Sequence, residues 1–184
     1  TTYTAVKLYS SNNNTDPTLT PIKNNIVREI TAGAGHLVFD GHGNPASWNT
    51  HWPDYGPWTG GIQILNFLSL KNGGKLPVCV VGGCHNSQYN VTLLYTLSDK
   101  DNSKHSWCYG MPVPESWSWW LARKIGGGSL ATIGNTGLGY GWVGGYDDLN
   151  GDGIEEPVCI EGLGGYIQQL FYKTIDEETD ILGE

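Results

Sequence analysis

Two short apolar runs, each ending in glycine and a reactive side chain, decide the fold: Gly35-His-Leu-Val-Phe-Asp-Gly-His-Gly43 and Lys75-Leu-Pro-Val-Cys-Val-Val-Gly-Gly-Cys-His85. A continuous apolar run of this length, bounded by glycine, is typical of a strand buried in a parallel sheet. The first run delivers His42 at its carboxyl end, and the second delivers Cys84. Because parallel strands end at the same edge of a sheet, the sequence predicts that this imidazole and this thiol lie near each other.

Helical and extended patterns alternate around these two runs. The spacing of apolar residues predicts a strand over 3–9, helices over 21–31, 62–70 and 115–124, and a third buried strand over 129–133. We expect a loop over 44–61 and a polar insertion over 98–106. The alternation favours an α/β fold, in which a mostly parallel sheet carries helices on both faces within one domain spanning 1–184.

Composition excludes several classes of function. With 39% hydrophobic and 15% charged residues, the 184-residue chain is typical of a packed globular domain. Ten Lys+Arg against eighteen Asp+Glu give a net charge of -8, which disfavours nucleic acid and anionic lipid as partners. No apolar run approaches the roughly 20 residues of a membrane span. Few lysines, many Asn, Thr, Gly and Trp, and the acidic balance favour a secreted, extracellular protein.

The pair of His42 and Cys84 carries the main chemical signal. An imidazole within hydrogen-bonding reach of a thiol takes its proton and produces a thiolate, which is a nucleophile. The glycines around both residues leave backbone amides accessible, so the amides of Gly43 and Cys84 are the candidate donors to an oxyanion. This chemistry needs no metal ion.

Three ordered stretches, 37–48, 76–89 and 128–137, resemble the gingipain family of cysteine peptidases and, more distantly, the caspase, legumain and clostripain clan. The resemblance implies a caspase-like three-layer sandwich, and an endopeptidase with a Cys84–His42 dyad that hydrolyses a polypeptide substrate. It also implies cleavage after Arg or Lys, for which the candidate pocket carboxylate is Asp147 or an acidic residue in a segment before Thr1. Relatives are longer at the amino end, so we expect a strand and helix segment before Thr1 to complete the domain.

Tryptophans in loops near the strand ends are candidates for contact with substrate. Trp48 and Trp142 are the two that we predict to line substrate subsites, and Trp52 and Trp58 lie in similar loops. His51 has no partner that the sequence identifies, so we expect it to be structural.

The segment 147–156 predicts a calcium loop. Oxygen donors fall at positions 1, 3, 5, 7 and 9 around a glycine at position 6, and the predicted ligands are Asp148, Asn150, Asp152, the Ile154 carbonyl and Glu156. Calcium requires six to eight hard oxygen ligands around such a turn. The twelfth position is Cys159 where an EF-hand needs glutamate, so the predicted ion is structural and the helix-loop-helix sensor is disfavoured.

A second class of function stays open at this point. The loop tryptophans and the acidic loop also fit a non-catalytic, calcium-stabilised domain that binds carbohydrate or protein. The reactivity of Cys84 separates the two hypotheses, because a peptidase needs a thiol that alkylates rapidly near neutral pH.

Overall fold

The structure is a computed structural model that describes residues 4–94, 112–142 and 144–177. It divides into two units, Thr1–Leu138 and Gly139–Glu184. The strands are β1 (His36–Phe39), β2 (His42–Asn44), β3 (Ser47–Asn49), β4 (Ile62–Gln63), β5 (Val78–Val81), β6 (Ala131–Gly134), β7 (Tyr146–Asp147) and β8 (Glu156–Pro157). The α-helices are α1 (Lys23–Ala32), α2 (Trp117–Ala122), α3 (Val158–Glu161) and α4 (Leu163–Glu177), and 3₁₀ helices cover Ser10–Asn14, Pro17–Leu19 and Ile64–Ser69.

A parallel three-stranded sheet in the order β1-β5-β6 organises the first unit. At the carboxyl ends of the three strands, Phe39 pairs with Val81, and Val81 pairs with Gly134. The central strand β5 is buried along its whole length, which explains its unbroken apolar sequence. The parallel sheet that the two apolar runs predict is therefore confirmed, and β1 and β5 end side by side.

One face of this sheet carries the core. Phe39 contacts the ring of Trp117 at 5.2 Å between centroids, and Trp117 contacts Phe67 at 5.0 Å. The same cluster includes Ile26, Ile30, Cys79, Val81 and Leu121. Full burial of a large apolar side chain contributes roughly 1.5–3 kcal/mol, so the helices α1 and α2 are held on this face mainly by hydrophobic packing.

The opposite face of the sheet is partly open within the described residues of the first unit. Val38 on β1 is 55% exposed and Ile133 on β6 is 41% exposed, whereas Val80 between them is buried. The mixed α/β class with a parallel sheet is thus established, and it is consistent with a caspase-like fold. The described residues of this unit, 4–94 and 112–138, do not establish helices on both faces.

Three local predictions differ from the structure. Residues 4–9 do not form a strand, because they find no strand partner in the described chain, and Tyr9 instead donates its amide to the Leu19 carbonyl at 3.0 Å. The predicted loop over 44–61 contains β3 and the last residue of β2, which belong to the antiparallel sheet β2-β3-β4. The predicted helix over 62–70 is the short strand β4 followed by a 3₁₀ helix. The polar insertion over 98–106 lies outside the described residues.

The second unit pairs β7 with β8 and continues into α3 and α4. The acidic segment 147–156 connects these two strands, so its two ends are held together by strand pairing. Within the ranges that the structure describes, no helix has the length and apolar character needed to span a membrane.

Candidate active site

His42 opens a hairpin that follows β1 directly. Asp40 and Gly41 link Phe39 to β2, and β2 pairs with β3 so that His42 faces Asn49 and Asn44 faces Ser47. Asn44 accepts the amides of Ala46 and Ser47 through its side-chain oxygen, at 2.8 and 3.1 Å. This side-chain turn is a local sequence signal for a tight hairpin, and it places His42 at the carboxyl edge of the sheet.

Cys84 lies in a tight turn directly after β5, and neighbouring strand ends hold this turn. The amide of Gly82 donates to the Phe39 carbonyl at 2.7 Å. Beyond β6, the Asn135 side chain donates to the Gly82 carbonyl at 2.9 Å, and its own carbonyl accepts the Ser87 amide at 3.0 Å. The turn is therefore fixed by hydrogen bonds from residues that follow both neighbours of β5 or lie in them.

The residues next to His42 and Cys84 touch each other. A Cβ built on Gly83 would lie 3.0 Å from both the Cα and the amide nitrogen of Gly43. A Cβ on either glycine would also collide with the side-chain oxygen of Asn86. Only glycine therefore allows the backbone of the His42 hairpin to approach the backbone of the Cys84 turn so closely.

Asn86 joins the two segments by hydrogen bonds. It is fully buried, and its side-chain nitrogen donates to the carbonyls of Asn44 at 2.9 Å and Ser47 at 3.0 Å. Its own carbonyl accepts the Ser118 amide from α2 at 2.9 Å. The sequence did not indicate a role for Asn86, because the partners of its side chain are backbone atoms about forty residues away in the chain.

His51, expected to be structural and without a partner, lies against His42. The two imidazole centroids are 5.5 Å apart with an interplanar angle of 81°. Trp58 stacks on His51 at 3.7 Å and meets the His42 ring edge-on at 5.1 Å. We call these three side chains, His42, His51 and Trp58, the ring cluster.

The ring cluster affects the charge state of His42. Desolvation by the surrounding groups lowers the pKa of His42 below its ordinary value of 6.5, and the charge of His51 lowers it further. The carboxylate of Asp40 acts in the opposite direction and raises it. The net effect is a lowered pKa, which favours the neutral imidazole, the form that accepts a proton.

The described cysteines differ sharply in their surroundings. Cys79 is completely buried in β5, and burial raises the pKa of its thiol far above the ordinary value, so it stays protonated. Cys84 is half-buried at the strand end, and Cys159 is exposed in the second unit. Cys84 is therefore the described thiol that combines partial access with a place beside the His42 hairpin.

The predicted substrate residues lie in two different settings. Trp48 is 5% exposed and packs edge-on against Phe39 at 5.1 Å, so its ring belongs to the core. Trp142 is 53% exposed, and Asp147 is exposed on β7; both belong to the second unit. The side chain of Asp147 accepts the amide of Asp148 at 2.9 Å.

The acidic loop, residues 147–156, is ordered by its own side chains. Both carboxylate oxygens of Asp148 accept loop amides, including that of Gly153 at 2.9 Å. Asn150 accepts the Asp152 amide at 2.8 Å, and Asp152 accepts the Ile154 amide at 2.9 Å. Glu156 lies on β8, opposite Asp147. In the described chain, no three His, Cys, Asp or Glu side chains lie close enough together to hold a metal ion.

Glu161 is a further acidic residue that faces this loop. It is 5% exposed at the end of α3, where its carboxylate accepts the Leu149 amide at 2.8 Å and the Asn150 side-chain nitrogen. The sequence pattern did not identify Glu161, because this residue lies beyond the twelfth position, the last at which an EF-hand loop supplies a ligand.

A parallel sheet whose adjacent strands deliver a histidine and a cysteine to one edge is consistent with the class of caspase-like thiol hydrolases. The family model described as peptidase family C25 matches residues 1–175 of the chain. The chain therefore belongs to peptidase family C25, the gingipain family of cysteine peptidases, and the predicted resemblance is confirmed. No curated protein and no solved structure matches it.

Proposed function

We propose that this chain is a cysteine endopeptidase in which Cys84 is the nucleophile and His42 is the general base. The observation that carries the proposal is the backbone contact between Gly43 and Gly83, the immediate neighbours of the two residues. Membership of a cysteine peptidase family supports the same chemistry and implies a polypeptide substrate, and it favours the peptidase over the binding-domain hypothesis.

The proposed reaction begins when His42 takes the proton from the Cys84 thiol. The sulfur attacks the scissile carbonyl, and the amides of Gly43 and Cys84 stabilise the oxyanion that forms. His42 then gives the proton to the leaving amine as the C–N bond breaks, which leaves an acyl group on sulfur. Water, deprotonated by His42, hydrolyses this thioester and regenerates the free thiol.

Labelling of the thiols tests the nucleophile. We expect a peptidyl acyloxymethyl ketone to leave a single adduct on Cys84, detected by peptide mass spectrometry, and the adduct to disappear in Cys84→Ala. Cys159→Ala is the matched control, because it removes an exposed cysteine from the second unit and should leave the adduct unchanged. Slow iodoacetamide labelling of Cys84, no faster than that of Cys159, would contradict the proposed nucleophile and favour the binding-domain hypothesis.

We further propose that cleavage follows Arg or Lys. The resemblance to gingipains implies a basic residue before the cut, and the net charge of -8 favours the approach of a cationic substrate. Asp147 is the proposed pocket carboxylate. Fluorogenic peptides that differ only at this position measure the preference, and Asp147→Asn is expected to lower kcat/KM for Arg and Lys peptides more than for a neutral peptide.

We also propose that the acidic loop binds a structural calcium ion, as suits an extracellular protein. The donor chemistry fits, because Asp148, Asn150, Asp152, the Ile154 carbonyl and Glu156 supply only oxygen. Between Lys124 and Lys173 the sequence has six Asp or Glu and no Lys or Arg, so a cation relieves the repulsion among these carboxylates. Glu161, buried against the loop, is an additional proposed ligand. The ion would stabilise the loop and take no part in the reaction.

A further inference from the structure

The hairpin that carries His42 is extended by a second turn of chain. Beyond β3, Thr59 donates its amide to the Thr50 carbonyl at 2.9 Å, and His51 bridges to Trp58 in antiparallel register. Trp52 donates to the Pro57 carbonyl at 3.1 Å and closes the tip. Residues 50–59 therefore form a tight second hairpin, and its register brings His51 and Trp58 to the same face as His42.

A hydrogen bond and ring contacts with Trp58 and Tyr55 hold His51 in this hairpin. Its Nδ1 lies 2.7 Å from the Gly56 carbonyl. Because a carbonyl only accepts, Nδ1 carries the proton, and this sets the tautomer of the ring. The face of the ring stacks on Trp58 with an interplanar angle of 29°. A hydrogen bond and a stacked ring together leave His51 little freedom to rotate.

The fixed ring of His51 meets His42 edge to face. His42 is an exposed residue, and among the described residues its aromatic contacts are with His51 and Trp58. Two titratable groups act on His42: Asp40, which directly follows β1, and His51 from the second hairpin. The turn that carries Cys84 lies beside the same segment through the contact between Gly83 and Gly43. Of the two titratable groups, His51 is the one that both touches the ring and is itself fixed in place.

We propose that His51 is a positioning residue for His42, and that with Trp58 it holds the imidazole of the general base in the orientation that faces Cys84. This inference rests on the proposed function, since it assigns a role within the same site. His51 itself touches neither substrate nor reacting atoms in this proposal. The charge of His51 also disfavours protonation of His42, in agreement with the lowered pKa of His42.

The effect of His51 on the imidazole is measured first without any catalytic step. Histidine Cε1–Hε1 NMR signals are followed against pH in a Cys84→Ala background, where the thiol cannot couple to His42. We expect His51→Asn, whose amide can still donate to the Gly56 carbonyl, to raise the pKa of His42. Pro53→Ala is the matched control, because it changes an exposed, uncharged side chain at the tip of the same hairpin. We expect the control to leave the titration unchanged.

The second measurement uses the intact enzyme. For His51→Asn we expect kcat to fall about tenfold with KM nearly unchanged, a fraction of the 10²–10⁴-fold that a positioned general base contributes. The acidic limb of the kcat/KM profile moves to higher pH. His51→Gln and a thermal melt of each variant separate this effect from misfolding, since a structural loss lowers the midpoint and alters every histidine signal.

The outcomes distinguish the two proposals. If Cys84 reacts normally but His51→Asn leaves both the His42 titration and the pH profile unchanged, His51 only supports the fold and the inference is overturned. If Cys84 does not react in the parent protein, the proposed function fails. The NMR titration then still decides whether His51 controls His42, and an unchanged titration overturns the inference in that case too.

Discussion

The His42 hairpin, residues 42–61, and the acidic loop of the second unit are stabilised in opposite ways. The His42 hairpin is held by packed rings, by Trp48 in the core and by the Asn86 side chain. The acidic loop is held by carboxylate and amide oxygens that accept its own backbone amides. The first arrangement is complete without an ion, whereas the second gathers negative charge. The comparison teaches that the His42 hairpin depends on packing between distant residues, whereas the acidic loop depends on hydrogen bonds from its own carboxylates.

The largest expected effect is the destabilisation of the His42 hairpin by removal of the Asn86 side chain. Asn86→Ala leaves the carbonyls of Asn44 and Ser47 without donors in a buried place, and each lost partner costs about 1–3 kcal/mol. We expect the free energy of unfolding in urea to fall by about 3 kcal/mol and peptidase activity to fall with it. Asn24→Ala, an exposed change on α1, should stay within about 0.5 kcal/mol of the parent. An Asn86→Ala variant as stable as the parent would show that this side chain does not hold the hairpin.

Calcium should act on the second region with a slightly smaller effect. At a free calcium concentration of 100 times Kd, binding to the folded state alone adds about 2.7 kcal/mol. We expect the melting midpoint to rise with calcium, to fall with a chelator, and to respond less in Glu161→Gln. Glu155→Gln is the control, because Glu155 is exposed and outside the proposed ligand set. A midpoint that calcium does not move would contradict the calcium proposal.

The smallest expected effect concerns the His42 hairpin and is a shift in the dependence of activity on pH. Because the pKa of His42 is lowered from its ordinary value of 6.5, the neutral base persists below that pH and kcat/KM should remain high there. Asp40→Asn removes a charge that raises this pKa, so the acidic limb should move to lower pH. Glu29→Gln on α1 should leave the profile in place. An acidic limb that moves to higher pH in Asp40→Asn would contradict the electrostatic account of His42.

The same lowered pKa has a consequence for stability. Protons bind more readily to the unfolded chain than to folded His42, so this residue stabilises the fold above pH 6.5. That contribution is lost as the pH falls below 6.5.

The strands of the main sheet were accessible from sequence because their signal is local. An apolar run between glycines predicted β1 and β5, and helical spacing predicted α1 and α2 within a few residues. The segment 44–61 was predicted to be a loop because the strands in and beside it, β2, β3 and β4, are two or three residues long and carry no apolar alternation. In such strands the register is set by turns and cross-strand contacts, which composition does not reveal.

The sequence by itself determined that His42 and Cys84 each follow a strand of the parallel sheet, since hydrophobic runs and glycine boundaries are properties of a few consecutive residues. It also determined the family. Only the tertiary structure decided which side chains surround the histidine and join the two segments. His51, Trp58 and Asn86 meet their partners through hairpin register and buried backbone carbonyls, which arise from packing between distant parts of the chain.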